Sequence, residues 1–384
     1  MPELTGNGGE WSEPYVLLRI MGDGELKLTD ENEEELAGYY LDIIGALRVE
    51  NSDRRVRYVN LEERDGYRVI AILINEIPTT TSRSDEMSQM ADTLRDYILN
   101  KPAKRAFPVT DEIENYLSDI EVKTVTAVSV DKSDIFITAS DPRSGLVRKD
   151  IGYSIKSDLA KKPTLFNTGH GSRIVYRLNG DLTDALIEQV NSLMTPKGKT
   201  DVVGRWRLLD ENGIEREFAN FAYSRTKKCH PMTETFDLMN PHMVKMFESM
   251  VRAKFDGCLS GYSLVDINQW LIETNPCGLT RPEVKYEYML KQFLYASYCG
   301  TTAGTPWDGK SNVNGGMITV KADGAVVAFN SLDGEVFKNY LFHHTKLENP
   351  GTDQGHGFYG FIYWNELYEA YCFDLNWQIR YSHF

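Results

Sequence analysis

The sequence predicts a mixed α/β (α+β) fold, and three observations carry that reading. In the N-terminal half, segments with apolar residues at helical spacing are interleaved with short runs of β-branched and aromatic residues. One stretch there has strand character on both arms of a turn: Ser133–Thr138 and Gly152–Ser157, around Asp141-Pro142-Arg143-Ser144-Gly145. The last part of the chain reads as strands. At 384 residues with 41% hydrophobic content, the chain has room for two domains and can fill a core.

In order, residues 10–21 read as a helix, with Trp11, Tyr15 and Leu18 at i, i+4 and i+7; Pro14 fits only in its first turn. Glu10 and Glu13, three apart, project from one face. A second amphipathic segment covers Glu34–Val49, and Tyr67–Ile77 is strand-like. A Thr/Ser-rich turn at Thr79–Ser84 precedes a helix over Asp85–Asn100, closed by Lys101-Pro102. A short helix at Asp111–Asp119 leads into a strand over Val122–Val130. Beyond the hairpin, Lys162-Pro163-Thr164 breaks the strand and Asn167–Ser172 forms a polar, glycine-flanked loop. Arg173–Leu178 reads as a strand and Asp181–Met194 as a helix.

A boundary near Thr195–Lys199 divides the chain into regions 1–195 and 196–384. Val202–Leu209 and Ile214–Ala222 flank Asp210-Glu211-Asn212-Gly213 as a hairpin. Pro241–Phe255, Leu264–Glu273 and Glu283–Tyr298 read as helices, the first with a core stripe of Met243, Met246 and Met250. Cys299–Gly316, rich in glycine and asparagine, reads as a loop. Met317–Val320 and Ala325–Phe329 form another hairpin. The final run, Cys372–Tyr381, puts Leu375, Trp377, Ile379 and Tyr381 on one face and Asn376, Gln378 and Arg380 on the other.

Composition excludes several classes. No apolar run reaches the length of a membrane span and the N-terminus is no signal peptide, so a soluble cytoplasmic protein is expected. The five cysteines are scattered without a CxxC pair, which argues against zinc. No phosphate-cradling P-loop occurs. The net charge of −14 opposes nucleic-acid binding in bulk. Local clusters decide phosphate contact, however, and basic residues group at Arg148-Lys149, at Lys156, Lys161 and Lys162, and at Arg225, Lys227 and Lys228.

The hairpin carries the chemistry. With its turn centred on Ser144, Asp134 lies opposite Ser154, and Gly152, Ser154 and Lys156 share a face. Cleaving a phosphodiester builds charge on the phosphorus oxygens and needs a deprotonated water. Magnesium, held by one or two carboxylates, serves both needs, and a lysine beside it orients the water. On this reading Asp134 binds the metal, the Ile155 carbonyl is a further ligand, and Lys156 is that lysine. The plainer reading is a solvated hairpin with two surface charges.

Asp134, Gly152–Ser157 and Pro163-Thr164-Leu165-Phe166-Asn167 together resemble the core of the HpaII-type restriction endonucleases. Gly9–Glu13, the run Tyr340–Pro350 and Gln378-Ile379-Arg380 are similar to the same family in the same order, over nearly the whole chain. The resemblance implies a PD-(D/E)xK-like nuclease core over 1–195 and a β-containing specificity region over 196–384. It also implies magnesium-dependent cleavage of duplex DNA at a short sequence, CCGG being the first to test. A methyltransferase that protects the host would be its genetic partner, and a homodimer would address both strands of a palindrome. Ser154 departs from that class, which carries a second acid two residues before its lysine. The missing acid then comes from elsewhere: Glu13, favoured by the resemblance, or Glu10, Glu121 or Asp150.

Asn167, His170, Ser172, Lys161 and Lys162 are placed to contact DNA near the site. Lys346, Gln378 and Arg380 are placed to read bases, since arginine pairs bidentately with guanine and glutamine with adenine. Two rival readings remain: a DNA-binding protein that lost catalysis with the acid at Ser154, and a nuclease acting on RNA or single strands without specificity.

Overall fold

The computed structural model describes the chain except residues 1–3, 102–104, 129–132, 160–163, 311–314, 330–333, 353–357 and 383–384. In chain order, β1 (Thr5–Gly6) and α1 (Gly8–Asp23) precede β2 (Glu25–Thr29), β3 (Glu35–Asn51), β4 (Arg54–Arg64), β5 (Tyr67–Ile74) and β6 (Ile77–Arg83). Then come α2 (Ser84–Leu99), β7 (Phe107–Pro108), α3 (Asp111–Asp119), β8 (Ile135–Asp141) and β9 (Leu146–Ser157). The middle holds β10 (Thr164–Phe166), β11 (Ile174–Asn179), α4 (Asp184–Ser192), α5 (Val202–Glu211) and β12 (Glu215–Phe221). Four helices follow: α6 (Pro231–Met239), α7 (Met243–Phe255), α8 (Leu264–Thr274) and α9 (Pro282–Tyr298). The chain closes with β13 (Met317–Val320), β14 (Val326–Phe329), α10 (Gly334–His343), β15 (Thr345–Glu348), β16 (Ile362–Asn365), β17 (Ala370–Leu375) and β18 (Gln378–Tyr381).

Contacts divide these elements into two units, 1–163 with 311–340 and 164–310 with 341–384. The first is built on a nine-stranded sheet in the order β2-β14-β13-β9-β8-β3-β4-β5-β6. β9 lies between antiparallel β8 and parallel β13. α1 packs on β9, β3 and α2, and Trp11, Tyr15, Val16, Leu17, Leu18 and Ile20 are wholly buried. Each such side chain contributes roughly 1.5–3 kcal/mol relative to exposure, so the start of this helix is anchored in the core. The second unit has a four-stranded sheet, β12-β11-β17-β16, and a three-stranded one, β10-β18-β15. Its aromatic centre joins Phe166, Phe236, Phe247, Phe293 and Trp377.

The structure alters several local expectations. α1 starts at Gly8, so Pro14 stands beyond the first turn. The amphipathic segment at Glu34–Val49 is the long strand β3, buried along its second half. Thr79–Ser84, expected as a turn, is mostly β6, because Ile70–Val69 of β5 pair with Ser82–Arg83. The stretch 122–128 forms no strand, and the rest of that expected strand, 129–130, lies outside the described residues. Val202–Leu209 is helical: Asp201 caps Gly204, and Val202, Arg205, Trp206 and Leu209 bury one helical face. Periodicity of 3.6 won over β-branched composition there.

Candidate active site

Two acids start α1, and their hydrogen bonds separate them. The Asn7 side chain accepts from the amides of Gly9 and Glu10, and Glu10 Oε2 accepts from the Asn7 amide at 2.7 Å. This capping box spends Glu10 on starting the helix. Glu13, one turn on, points elsewhere. Its Oε2 accepts from the Ala127 amide at 2.6 Å and lies 3.7 Å from Arg48 Nη1. Burial pushes its carboxyl up to about 7, against the pull of Arg48 and the Ala127 amide; Asp134 raises it further and Lys156 lowers it. Glu13 therefore shares an electrostatic neighbourhood with Asp134 and Lys156.

Asp134 stands immediately before β8. The pairs Ile135↔Tyr153 and Phe136↔Gly152 continue to Asp134 opposite Ser154, the register expected from a turn at Ser144. Its amide donates to Tyr153 O at 2.9 Å, and its Oδ2 accepts from the Ile155 amide at 2.8 Å. On β9, the amides of Ser154 and Asp158 donate to Gly316 and Val320 of the opposite neighbour. Main-chain groups of alternate residues point to alternate edges, so the Ile155 carbonyl faces the same edge as its amide, toward Asp134. Lys156 is half-buried on the face it shares with Ser154, which is 6% exposed. Ser12 Oγ donates to Ser157 Oγ at 2.6 Å and ties α1 to β9 beside the site.

The other acids are engaged elsewhere. Asp150 sits at φ 52° in a bulge of β9 and is held by Arg57 at 2.7 and 3.2 Å, and that Arg57 hydrogen bond keeps its carboxyl below the usual range. The bulge breaks the strand parity that would have aimed it with Lys156. Glu121 pairs with Arg54 at 2.7 Å. A residue that sequence reading passed over links these groups. Arg48, 2% exposed, lies between Glu13 and Glu50 and donates to the carbonyls of Thr124 and Val125. A lone arginine inside Ala46-Leu47-Arg48-Val49 was the available signal, because a buried charge needs partners.

Among the described residues, no cluster of three or more His, Cys, Asp and Glu side chains is arranged to hold a metal ion. Two carboxylates there, Glu13 and Asp134, feel one another's charge, and the Ile155 carbonyl faces the β8 edge of β9. All are hard oxygens, in the number that suits a cation retaining several waters. The Ser154 hydroxyl adds little to such a set.

In the second unit the expected DNA-contacting residues fall into two groups. Ser172 is fully buried, donating to Asn376 Oδ1 at 2.8 Å, so it holds the 167–172 loop from beneath. Asn167 and His170 are exposed on that loop, and Arg173 Nη2 hydrogen-bonds the His170 ring. A cavity of about 630 Å³ opens beside it, with His170, Arg173, Tyr223 and Arg225 among its walls. Asn376 is wholly buried and Gln378 nearly so, which removes Asn376 from any polar outer face. Lys346 and Arg380 form a cross-strand pair of β15 and β18. Lys161, Lys162 and the run 353–357 lie outside the described residues. No helix among the described residues is long and apolar enough to cross a membrane.

A family profile described as HpaII restriction endonuclease matches residues 7–381. The "Type II restriction enzyme HpaII" of Haemophilus parainfluenzae is 27% identical over 380 residues, which cover 98% of this chain and 99% of that one. No solved structure matches.

Proposed function

This chain belongs to the HpaII restriction endonuclease family, and from that premise we propose magnesium-dependent cleavage of duplex DNA at a short specific sequence, with CCGG the first to test. It is a type II restriction enzyme, a hydrolase acting on DNA. One observation supports the assignment of its site: Asp134 accepts from the Ile155 amide at 2.8 Å, next to Lys156 on β9, and Glu13 of α1 feels both charges.

In this reading the β8–β9 end is a PD-(D/E)xK-type core in which Glu13 stands in for the acid that Ser154 lacks. Glu13, Asp134 and the Ile155 carbonyl would hold magnesium, which when bound supplies charge neutralisation at the phosphate and an acidified water. Asp134 is fixed by the Ile155 amide, so its free oxygen keeps one direction. Glu13 releases a proton as it ionises, which couples metal binding to pH near its raised value. Lys156 supplies positive charge to the attacking water and the developing phosphorane. Asn167, His170, Lys346, Gln378 and Arg380 are assigned to DNA contact, Lys161 and Lys162 to its phosphates, and Ser172 to support of the loop. Division of labour between an N-terminal nuclease core and a C-terminal recognition region, a homodimer and a protecting methyltransferase belong to the same proposal.

The test is digestion of unmethylated plasmid with magnesium by the wild type, Asp134→Ala and Lys156→Ala. Discrete fragments from the wild type alone support the reading, and their ends give the target. Intact DNA with magnesium or manganese, on unmethylated and CCGG-methylated plasmid alike, removes it. A binding assay then decides for the rival, a catalytically degenerate DNA-binding protein.

A further inference from the structure

The face shared by β15 and β18 holds an acid among cations. Lys346 lies opposite Arg380 and Glu348 opposite Gln378, so all four side chains project from one side. On the other side Leu347 and Ile379 are wholly buried. Glu348 gathers its neighbours: Lys346 Nζ lies 2.9 Å from Oε1, Arg380 Nε 2.9 Å from Oε2, and Gln378 Nε2 donates to Oε2 at 3.4 Å. Burial pushes the Glu348 carboxyl up, but these three donors outweigh it and hold the group below its ordinary value, as a charged acceptor. Lys254 adds a third positive neighbour, donating to Leu347 O at 3.1 Å beneath the Tyr262 ring.

A surface that only grips phosphate gains nothing from a carboxylate, which repels the backbone and neutralises its own lysine and arginine. A surface that reads base edges does need an acceptor. In the major groove only cytosine N4 and adenine N6 present donors, and a carboxylate suits the first as arginine suits guanine O6 and N7. The side chain remains 29% exposed, enough to be reached.

We propose that Glu348 is a specificity-determining residue, accepting the exocyclic amino group of a target cytosine while Arg380 donates to a guanine. In the free protein the two are held against each other, each keeping the other extended. On DNA each exchanges that partner for a base edge. The inference rests on the specific-cleavage reading above.

The test is single-turnover cleavage of duplexes in which one target cytosine at a time is replaced by the pyrimidinone analogue that lacks only the amino group. Wild type, Glu348→Gln and Glu348→Ala are compared, with circular dichroism melting to establish that each is folded. At one position the wild type should slow by about 10- to 100-fold. Glu348→Ala should be slow already and indifferent to the analogue there. Glu348→Gln, which keeps an acceptor oxygen, should fall between it and the wild type, and both should stay sensitive at the other positions. Variants that cut more slowly yet keep the wild-type sensitivity at every position overturn the inference, leaving Glu348 to orient Arg380. A wild type that cuts no duplex in preference sinks the specific-cleavage reading itself, and this inference with it.

Discussion

The carboxylate of Asp134 takes its hydrogen bond from the amide of Ile155, at 2.8 Å, the residue directly before Lys156. One side chain thus fixes its own direction and the register of the lysine. Asp134→Asn preserves size and can still accept that bond, but it removes the charge. The expected outcome is a fall in cleavage of roughly 10²–10³-fold, with a thermal midpoint close to the wild type. A melting scan beside a plasmid assay checks it, and undiminished cleavage would remove Asp134 from the site.

Glu13 has a pH signature. Its carboxyl is raised from 4.5 to about 7 by burial, so between those values the folded protein holds a proton that the unfolded chain has lost. Stability therefore falls as pH rises through that window, and the whole cost is present above it. In metal-free buffer Glu13→Gln should be more stable than the wild type near pH 8, by on the order of 1–3 kcal/mol, and no more stable near pH 4. Denaturant melts at the two pH values decide this. The same variant should fail to cut DNA.

Arg48 is the counter-ion of that site, 3.7 Å from Glu13 and 3.4 Å from Glu50. Arg48→Met leaves two acids without it, and removing one partner of a buried pair costs about 3–5 kcal/mol. Where the variant still folds, the alkaline rise of its pH–rate profile should move to higher pH, because Arg48 no longer favours ionised Glu13. An unmoved profile would place the titrating group elsewhere.

Glu10 tests the separation of the two acids. Glu10→Ala breaks the capping box and should cost about 0.5–2 kcal/mol of stability. Its cleavage rate and pH profile should stay those of the wild type. A loss of cleavage comparable to Glu13→Gln would return Glu10 to the metal.

Much of the β8–β9 hairpin was legible because strand alternation and turn chemistry are local. The expected pairing of Asp134 with Ser154 is reached by another route: the turn pairs Asp141 with Leu146, and the bulge at Asp150 shifts the register by one residue to bring Ser154 opposite Asp134. The choice between Glu10 and Glu13 was also written locally, since Asn7-Gly8-Gly9-Glu10 has the spacing of a capping box. Other features depend on partners distant in sequence. β3 is held as a strand in part by β8, far along the chain. The burial of Asn376 follows from Ser172 beneath the loop, and the meeting of Lys346 with Arg380 from the pairing of β15 with β18. No window of sequence contains both members of such a pair.

β9 takes one neighbour from just upstream and the other, β13, from Met317–Val320. A growing chain therefore carries Ser154–Ser157 as an open sheet edge until most of its 384 residues have been made. Open edges pair with other chains, and such long-range closure is slow. Fragments that stop before β13 should aggregate rather than cut. An abortive product of translation would then be harmless to the chromosome of the cell that makes it.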